Sequence, residues 1–408
     1  MTTRLAAIGD YVDVVSGPAF KSTAFSDDPS NIPLIKGENI AQGYIAWDKS
    51  KYWPADDAAA YERFFLESGD IVLAMDRPWI PAGLKWARLR EQEPQCLLVQ
   101  RVARLRARDG LRQDFLNYVI ASPSFAEYVR NVMGGTNVPH ISGGQIKAFQ
   151  FRLPGANEQR AIAETLSAYD DLIENNRRRI ALLEEAARML YREWFVRFRF
   201  PGHEHVRIID GLPEGWQSST FGDICQSVGG GTPSTDKPEY WNDGDIPWFT
   251  PTDVTHNGCL ALLDSEKKIT EAGLRGSSAK MLPAGTVLMT SRASVGFFGI
   301  IGAPSCTNQG FISLLPHDPR MRMYLLQNLM HRVEEIRSHA GGATYKEISK
   351  GKFKALSVVV PEASLLREFE DQASEFHSQV RTLHTMNQKL AQARDLLLPR
   401  LMSGEIAV

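Results

Sequence analysis

Cysteine is scarce: the 408 residues hold four, Cys96, Cys225, Cys259 and Cys306. No two form a Cys-x-x-Cys pair, so neither a zinc site nor a disulfide framework is indicated, and reduced thiols of a cytoplasmic protein are expected. No stretch approaches the roughly 18 consecutive apolar residues of a membrane span. The first ten residues, Met1 to Asp10, hold no signal-peptide core. An excess of one charge is also missing. The 46 Lys and Arg against 48 Asp and Glu leave a net charge of −2, so any polyanion contact has to come from local clusters. One such cluster, Lys346, Lys350, Lys352 and Lys354, meets a single acid, Glu347. A second run, Arg101 to Arg112, has five arginines and reads as a solvated face.

Catalytic patterns are missing too. There is no Gly-x-x-x-x-Gly-Lys-Ser/Thr loop, no Gly-x-Gly-x-x-Gly after a strand, and no Asn/Asp-Pro-Pro-aromatic tetrad. Gly229 to Ser234 is glycine-rich but opens no helix that would hold a phosphate on its N-terminus. His203-Glu-His205 is too tight for a metal-binding helix. Asp264-Ser-Glu-Lys267 has the residue types of a nuclease cluster, at a frequency chance supplies. No metal site is expected, and a binding protein is favoured over an enzyme.

What is present is a repeat. Gly134–Pro154 aligns without a gap on Gly341–Pro361, 207 residues later, with eight of 21 positions identical. The flanking order repeats as well: Ile8-Gly-Asp10 answers Phe221-Gly-Asp-Ile224, Asn31–Lys36 answers Asp245–Thr250, and Leu66–Leu73 answers Leu282–Met289. Turn residues separate short β-like stretches such as Ile32–Ile35, Asp70–Ala74 and Leu97–Val102. Helices are expected over Arg112–Val132 and Met321–His339. The fold class is α+β, two mixed modules of one plan.

A long helical stretch follows each repeat. The first carries the seam Ile162, Leu166, Tyr169, Ile173, Asn176, Ile180, Leu183, Ala187, Leu190, Trp194, whose spacing alternates four and three. Adding 207 gives Phe369, Ala373, Phe376, Val380, Leu383, Asn387, Leu390, Arg394, Leu397, Leu401, with Asn387 and Arg394 as polar exceptions. A helix of about 40 residues spans about 60 Å and needs a partner along its length. Antiparallel pairing with matched ends opposes positions whose numbers sum to 563. Ile162 then meets Leu401, Ala187 meets Phe376, Trp194 meets Phe369, and Asn176 meets Asn387 in a register-fixing polar layer. The alternative is that each helix packs only on its own module, with the asparagines exposed. The divisions are 1–157 (first module), 158–200 (first long helix), 201–215 (linker), 216–364 (second module) and 365–408 (second long helix and tail).

Several segments together resemble the specificity (S) subunit of type I restriction-modification systems. They are Pro154–Ala163, Tyr191–Phe198, Gly211–Trp216, Gly230–Thr235, Tyr240-Trp241, Gly244–Thr250 and Leu397–Ile406. The resemblance covers nearly the whole chain. It implies two target-recognition domains, each reading half of a split sequence in double-stranded DNA, and two helices pairing as an antiparallel coiled coil. It also implies docking of two modification (methyltransferase) subunits on the helices, with restriction subunits joining that core. S-adenosylmethionine and ATP would sit on those partners, with no cofactor and no catalysis on this chain. The sequence departs from the pattern once: Glu362–Phe369 lacks the Glu158-Gln159 pair of the first copy, which implies different contacts for the second methyltransferase. A coiled-coil scaffold joining two protein-binding modules without DNA is the competing reading.

Base readout needs donors and acceptors, with Lys and Arg on phosphates. Within the repeat the candidates are Asn137, His140 and Lys147, and then Thr344, Tyr345, Lys346, Lys350 and Lys352. Gly134-Gly135 and Gly341-Gly342 suit either close approach to a phosphate or a tight turn. The aligned loops add Lys36 and Asn39 against Thr250, Thr252 and Asp253. The strand-end turns add Arg77 against Ser291 and Arg292.

Overall fold

The computed structural model describes residues 5–80, 83–134, 138–342 and 346–408. The chain divides into two compact units, Met1–Asp171 with Leu390–Val408, and Leu172–Lys389. Each long helix therefore contributes to both.

In the first unit a four-stranded antiparallel sheet has the order Val12–Ser16, Val102–Ala107, Ile71–Ala74, Trp86–Arg88. A second sheet runs Tyr52–Trp53, Ile32–Ile35, Cys96–Leu98, Phe65–Leu66, with Ile32–Ile35 and Cys96–Leu98 parallel. The second unit repeats this plan. Cys225–Val228, Phe311–Pro316, Val287–Thr290 and Phe298–Ile301 stand in the same order, extended by Ala261–Leu262. Ile246–Phe249 and Cys306–Thr307 form the matching parallel pair. The apolar strands pack on helices in a core holding Phe115 and Phe125 in the first unit and in one holding Tyr324 and Phe353 in the second, and further apolar clusters lie beside each.

Three sequence expectations change. Leu97–Val102 is not one strand, because the chain turns at Arg101 with a left-handed φ of 65° and passes to the other sheet. Arg112–Val132 is two helices, Gln113–Ala121 and Pro123–Val132, since Pro123 cannot continue the first and Ser122 Oγ caps the second by accepting from Phe125 N at 3.2 Å. Met321–His339 likewise divides into Arg322–His331 and Val333–Ser338.

The long helices run Ala156–Tyr191, ending in a wider turn over Arg192–Val196, and Ala363–Ser403. Within each unit they lie antiparallel on the expected seam. In the first unit Ile162 and Leu166 share a core with Leu398 and Leu401, and Arg394 pairs with Asp170 at 2.6 Å. That ion pair explains the arginine in the seam. In the second, Ile180 and Leu183 meet Val380 and Leu383, and the Trp194 and Phe369 rings are 5.9 Å apart. Asn176 Nδ2 donates to Asn387 Oδ1 at 2.9 Å, and Asn387 Nδ2 donates to the Ile173 carbonyl at 3.2 Å. Both asparagines are buried.

The Glu158-Gln159 pair is turned into the module. Gln159, 1% exposed, accepts from Arg112 N at 2.9 Å and donates to the Gly110 and Pro154 carbonyls. In the second copy Glu370 does the corresponding job, accepting from Met323 N at 2.8 Å and Arg322 Nη2 at 2.7 Å. Glu370 thus anchors the second helix to its module by accepting a backbone N–H, as Gln159 does for the first. The cysteines are packing residues: Cys96, Cys225 and Cys306 are buried, and burial pushes the Cys225 and Cys306 thiols up to about 11.

Replacing Asn176 with Leu strands the buried Asn387 amide and should cost about 1–3 kcal/mol. The double variant N176L/N387L should recover most of it, as read by urea unfolding. His377 is held down to about 4 by burial, with Arg322 and Arg381 adding to the effect. The unfolded imidazole gains a proton below its ordinary value of 6.5 while the folded one stays neutral down to about 4. The unfolded state thus binds more protons in that window, and stability falls as pH drops through it, by up to about 3 kcal/mol. H377L should lose less stability than the wild type between pH 7 and pH 5.

Candidate nucleic-acid interface

The two repeated segments end in the same construction. In the first unit Arg77 N donates to the Pro139 carbonyl at 2.6 Å and Ile141 N to the Met75 carbonyl at 2.9 Å. Asp76 and His140 stand opposite each other between these bonds. In the second, Ala293 N donates to Lys346 O at 3.0 Å and Ile348 N to Ser291 O at 3.0 Å, with Arg292 opposite Glu347. Gly134 and His140 close the first loop by exchanging two backbone bonds of 3.0 and 2.8 Å, and Gly341 and Glu347 close the second with the same lengths. The third turn residue is left-handed in both, Arg77 at φ 45° and Ala293 at φ 60°.

This pairing resets the sequence alignment. Arg77 corresponds to Ala293, Asp76 to Arg292 and Met75 to Ser291. Backbone bonds across the sheet end fix that register, which sequence similarity along the turn does not reveal. Ser291 is buried, so it faces the core and is not placed to read a base. Met75, Ile141 and Ile348 are buried with it. Side chains alternate on extended chain, so Asp76–His140 and Arg292–Glu347 face the other way.

Asp76 Oδ1 and His140 Nδ1 are 2.7 Å apart, and Arg101 also pairs with Asp76. Burial works to raise the Asp76 pKa, but the His140 hydrogen bond and the Arg101 guanidinium outweigh it and hold the carboxyl below the usual carboxylate range. Arg292 Nε and Glu347 Oε2 are 3.8 Å apart, each side chain 49% exposed. Lys346, Lys350 and Lys352 are exposed. Lys350 Nζ lies over Gly229 and Lys352 Nζ 3.5 Å from the His339 carbonyl. Lys147 is exposed at its tip while its stem packs on Gly9, as Lys354 packs on Gly222. Asn137, Thr344 and Tyr345 lie outside the described residues.

Three other candidates are committed to the scaffold. Asn39 is 0% exposed; its Oδ1 accepts from Lys36 N at 2.7 Å and its Nδ2 donates to Leu34 O and Ser50 Oγ. Asp253 repeats that role, accepting from Thr250 N at 2.7 Å, Thr250 Oγ1 at 2.6 Å and Glu266 N at 2.8 Å. Thr250 and Asp253 thus form a helix cap. A short loop residue that satisfies backbone donors is not free to reach a base. Thr252 stays exposed, and Lys36 pairs with Glu38 beneath the Phe25 ring. The arginine run is not simply a solvated face. Arg104 pairs with Asp13 at 2.6 Å, Arg106 grips Asp70 at 2.7 and 2.8 Å, and Arg108 donates to the Gly9 carbonyl at 2.6 Å.

Sequence reasoning missed several groups. Lys85 donates to the Gly37 carbonyl. Its pKa is lowered by burial first, and the nearby charges of Arg77 and Lys49 add to the effect against Glu38. Lys49, Arg77 and Lys85 are therefore neighbouring positive charges, with Glu38 beside them. In the second unit a cleft of about 460 Å³ gathers Thr250, Thr252, Asp253 and Arg292 with Glu266, Lys267, Ser294 and Asn308. Lys85 and Lys267 lie outside every repeated motif, so no internal alignment would have found them. No group of three or more His, Cys, Asp or Glu fit to hold a metal ion occurs among the described residues. No helix among them is long and apolar enough to cross a membrane.

The sequence pattern of the type I restriction modification DNA specificity domain matches residues 5–185 and again 213–388. The chain belongs to this family. Similar curated proteins include the type I restriction enzyme MjaIX specificity subunit of Methanocaldococcus jannaschii, 33% identical over 187 residues, 44% of this chain and 43% of that protein. The HindI specificity subunit of Haemophilus influenzae is 23% identical over 358 residues, 72% of this chain and 77% of that one. The chain spans under half the length of the MjaIX and MjaVIII specificity subunits of M. jannaschii, 43% and 44%. Among solved structures, the type I restriction-modification S subunit from M. genitalium shares the fold at a TM-score of 0.55 and 17% identity, covering 98% of this chain and 96% of that one.

Asn39→Ala leaves the Lys36 amide and the Leu34 carbonyl without their partner. It should cost about 1–3 kcal/mol in chemical unfolding, with any sequence preference in duplex binding unchanged.

Proposed function

We propose that this chain is the DNA sequence-specificity subunit of a type I restriction-modification complex. Each module reads one half of a bipartite duplex site, and the long helices dock two modification subunits, with restriction subunits joining them. S-adenosylmethionine and ATP belong to those partners, and this chain recognises DNA without catalysing a reaction on it.

One observation carries the reading. The same loop-and-turn construction occurs twice in a chain of this family, with backbone hydrogen bonds kept and outward side chains exchanged. A constant frame with variable exposed polar groups suits two different half-sites. The exposed lysines beside the second loop supply the phosphate contacts such reading needs. The scaffold alternative gains no support from a family described by DNA specificity.

Methylome sequencing of a host carrying this subunit with its modification partner should return a split motif with an unread spacer, and a continuous motif or none would sink the proposal. In binding assays, K346A/K350A/K352A should weaken duplex binding and reduce the salt slope by up to about 2.7 if all three residues contact phosphates. An unchanged slope would remove that loop from the interface.

A further inference from the structure

The two modules place opposite polarities at one backbone position. In the first, the turn carries the acid and the loop the base, Asp76 against His140. In the second, the turn carries the base and the loop the acid, Arg292 against Glu347. Both pairs sit between the same two backbone hydrogen bonds and face away from a buried pair on the inner side, Met75 with Ile141 and Ser291 with Ile348. A pair needed only to hold the loop would work in either orientation, and backbone bonds already hold it.

We propose that these pairs determine half-site specificity, with Arg292 reading a guanine and His140 presenting Nε2 to a base of the other half-site. This rests on the DNA-recognition reading above. The Arg292–Glu347 separation of 3.8 Å is an ion pair beyond hydrogen-bond length. Among the described residues no hydrogen bond holds the guanidinium fork, whose geometry fits the bidentate contact to guanine O6 and N7. Arg292 also lines the cleft with Lys267, Ser294 and Asn308, which places further polar groups beside the same base edge. In the first module the Asp76 carboxylate accepts from Nδ1–H of His140. With Nδ1 so held, Nε2 is the ring nitrogen left to meet a base edge in the major groove. Asp76 is a positioning residue: it fixes the orientation of the ring and is itself held by Arg101.

Selection of bound duplexes from a randomised bipartite pool by the full chain tests this. The wild type should enrich two half-sites. R292Q should lose a guanine preference of about 5- to 150-fold at one position of one half-site, with the other half-site unchanged as an internal control for folding. R292E/E347R keeps an ion pair but gives it the polarity of the first module, and should lose the same preference while retaining thermal stability. D76N should alter the base preference of the other half-site only. Failure of the wild type to enrich any sequence would count against the DNA-recognition reading itself. Normal enrichment with unchanged motifs in R292Q and R292E/E347R would overturn the specificity assignment alone.

Discussion

The antiparallel seam of the two long helices is the constraint on which both units depend. Helices of 36 and 41 residues with narrow apolar stripes have no stable existence in isolation. Within each unit a stretch of one long helix covers the apolar stripe of the other, and both add residues to that unit's core. Leu398 and Leu401, from the end of the chain, lie in the same core as Phe115 and Ile162. Tyr191 and Trp194, from the first helix, lie with Tyr324 and Phe369. Neither module core is complete from its own contiguous segment. The buried Asn176–Asn387 layer contributes little net stability, but a slipped register would leave both amides unpaired among apolar side chains.

On that base the modules reuse one frame at the proposed reading surface. The frame is backbone: paired bonds from strand-end turn to loop, a left-handed third turn residue, and a capped short helix beyond, with Ser142 and Ser349 accepting from Gln145 N and Lys352 N. The side chains of buried Asn39 and half-buried Asp253 hold the neighbouring loop by the same amide contact in both copies. The turn and loop of each copy are held by internal backbone hydrogen bonds. The outward positions are then free to differ, and they differ even in sign of charge.

Much of the fold was legible in the sequence. The helices announce themselves because a four-three spacing is periodic and needs no knowledge of the rest of the chain. The order of strands was legible through the repeat. Helix breaks at Ser122–Pro123 and Arg332 were obscured by apolar spacing that continues across them. The candidate site was only partly legible. Lys346, Lys350 and Lys352 stand out as a charge cluster, but sequence cannot distinguish an asparagine that caps a loop from one that points outward. Asn39 and Thr252 have similar polarity and opposite fates, one buried under its own loop and one exposed.

The sequence by itself determined that two modules of one plan exist and that each is followed by a long helix with an apolar seam, in which antiparallel pairing would bring two asparagines together. These follow from local periodicity and internal repetition. Only the tertiary structure decided that Asp76 faces His140 across 64 residues and that Arg292 faces Glu347. It also decided which polar residues are spent on the scaffold. Such pairings depend on backbone hydrogen bonds between segments distant in the chain, and no single segment carries a record of its partner's register.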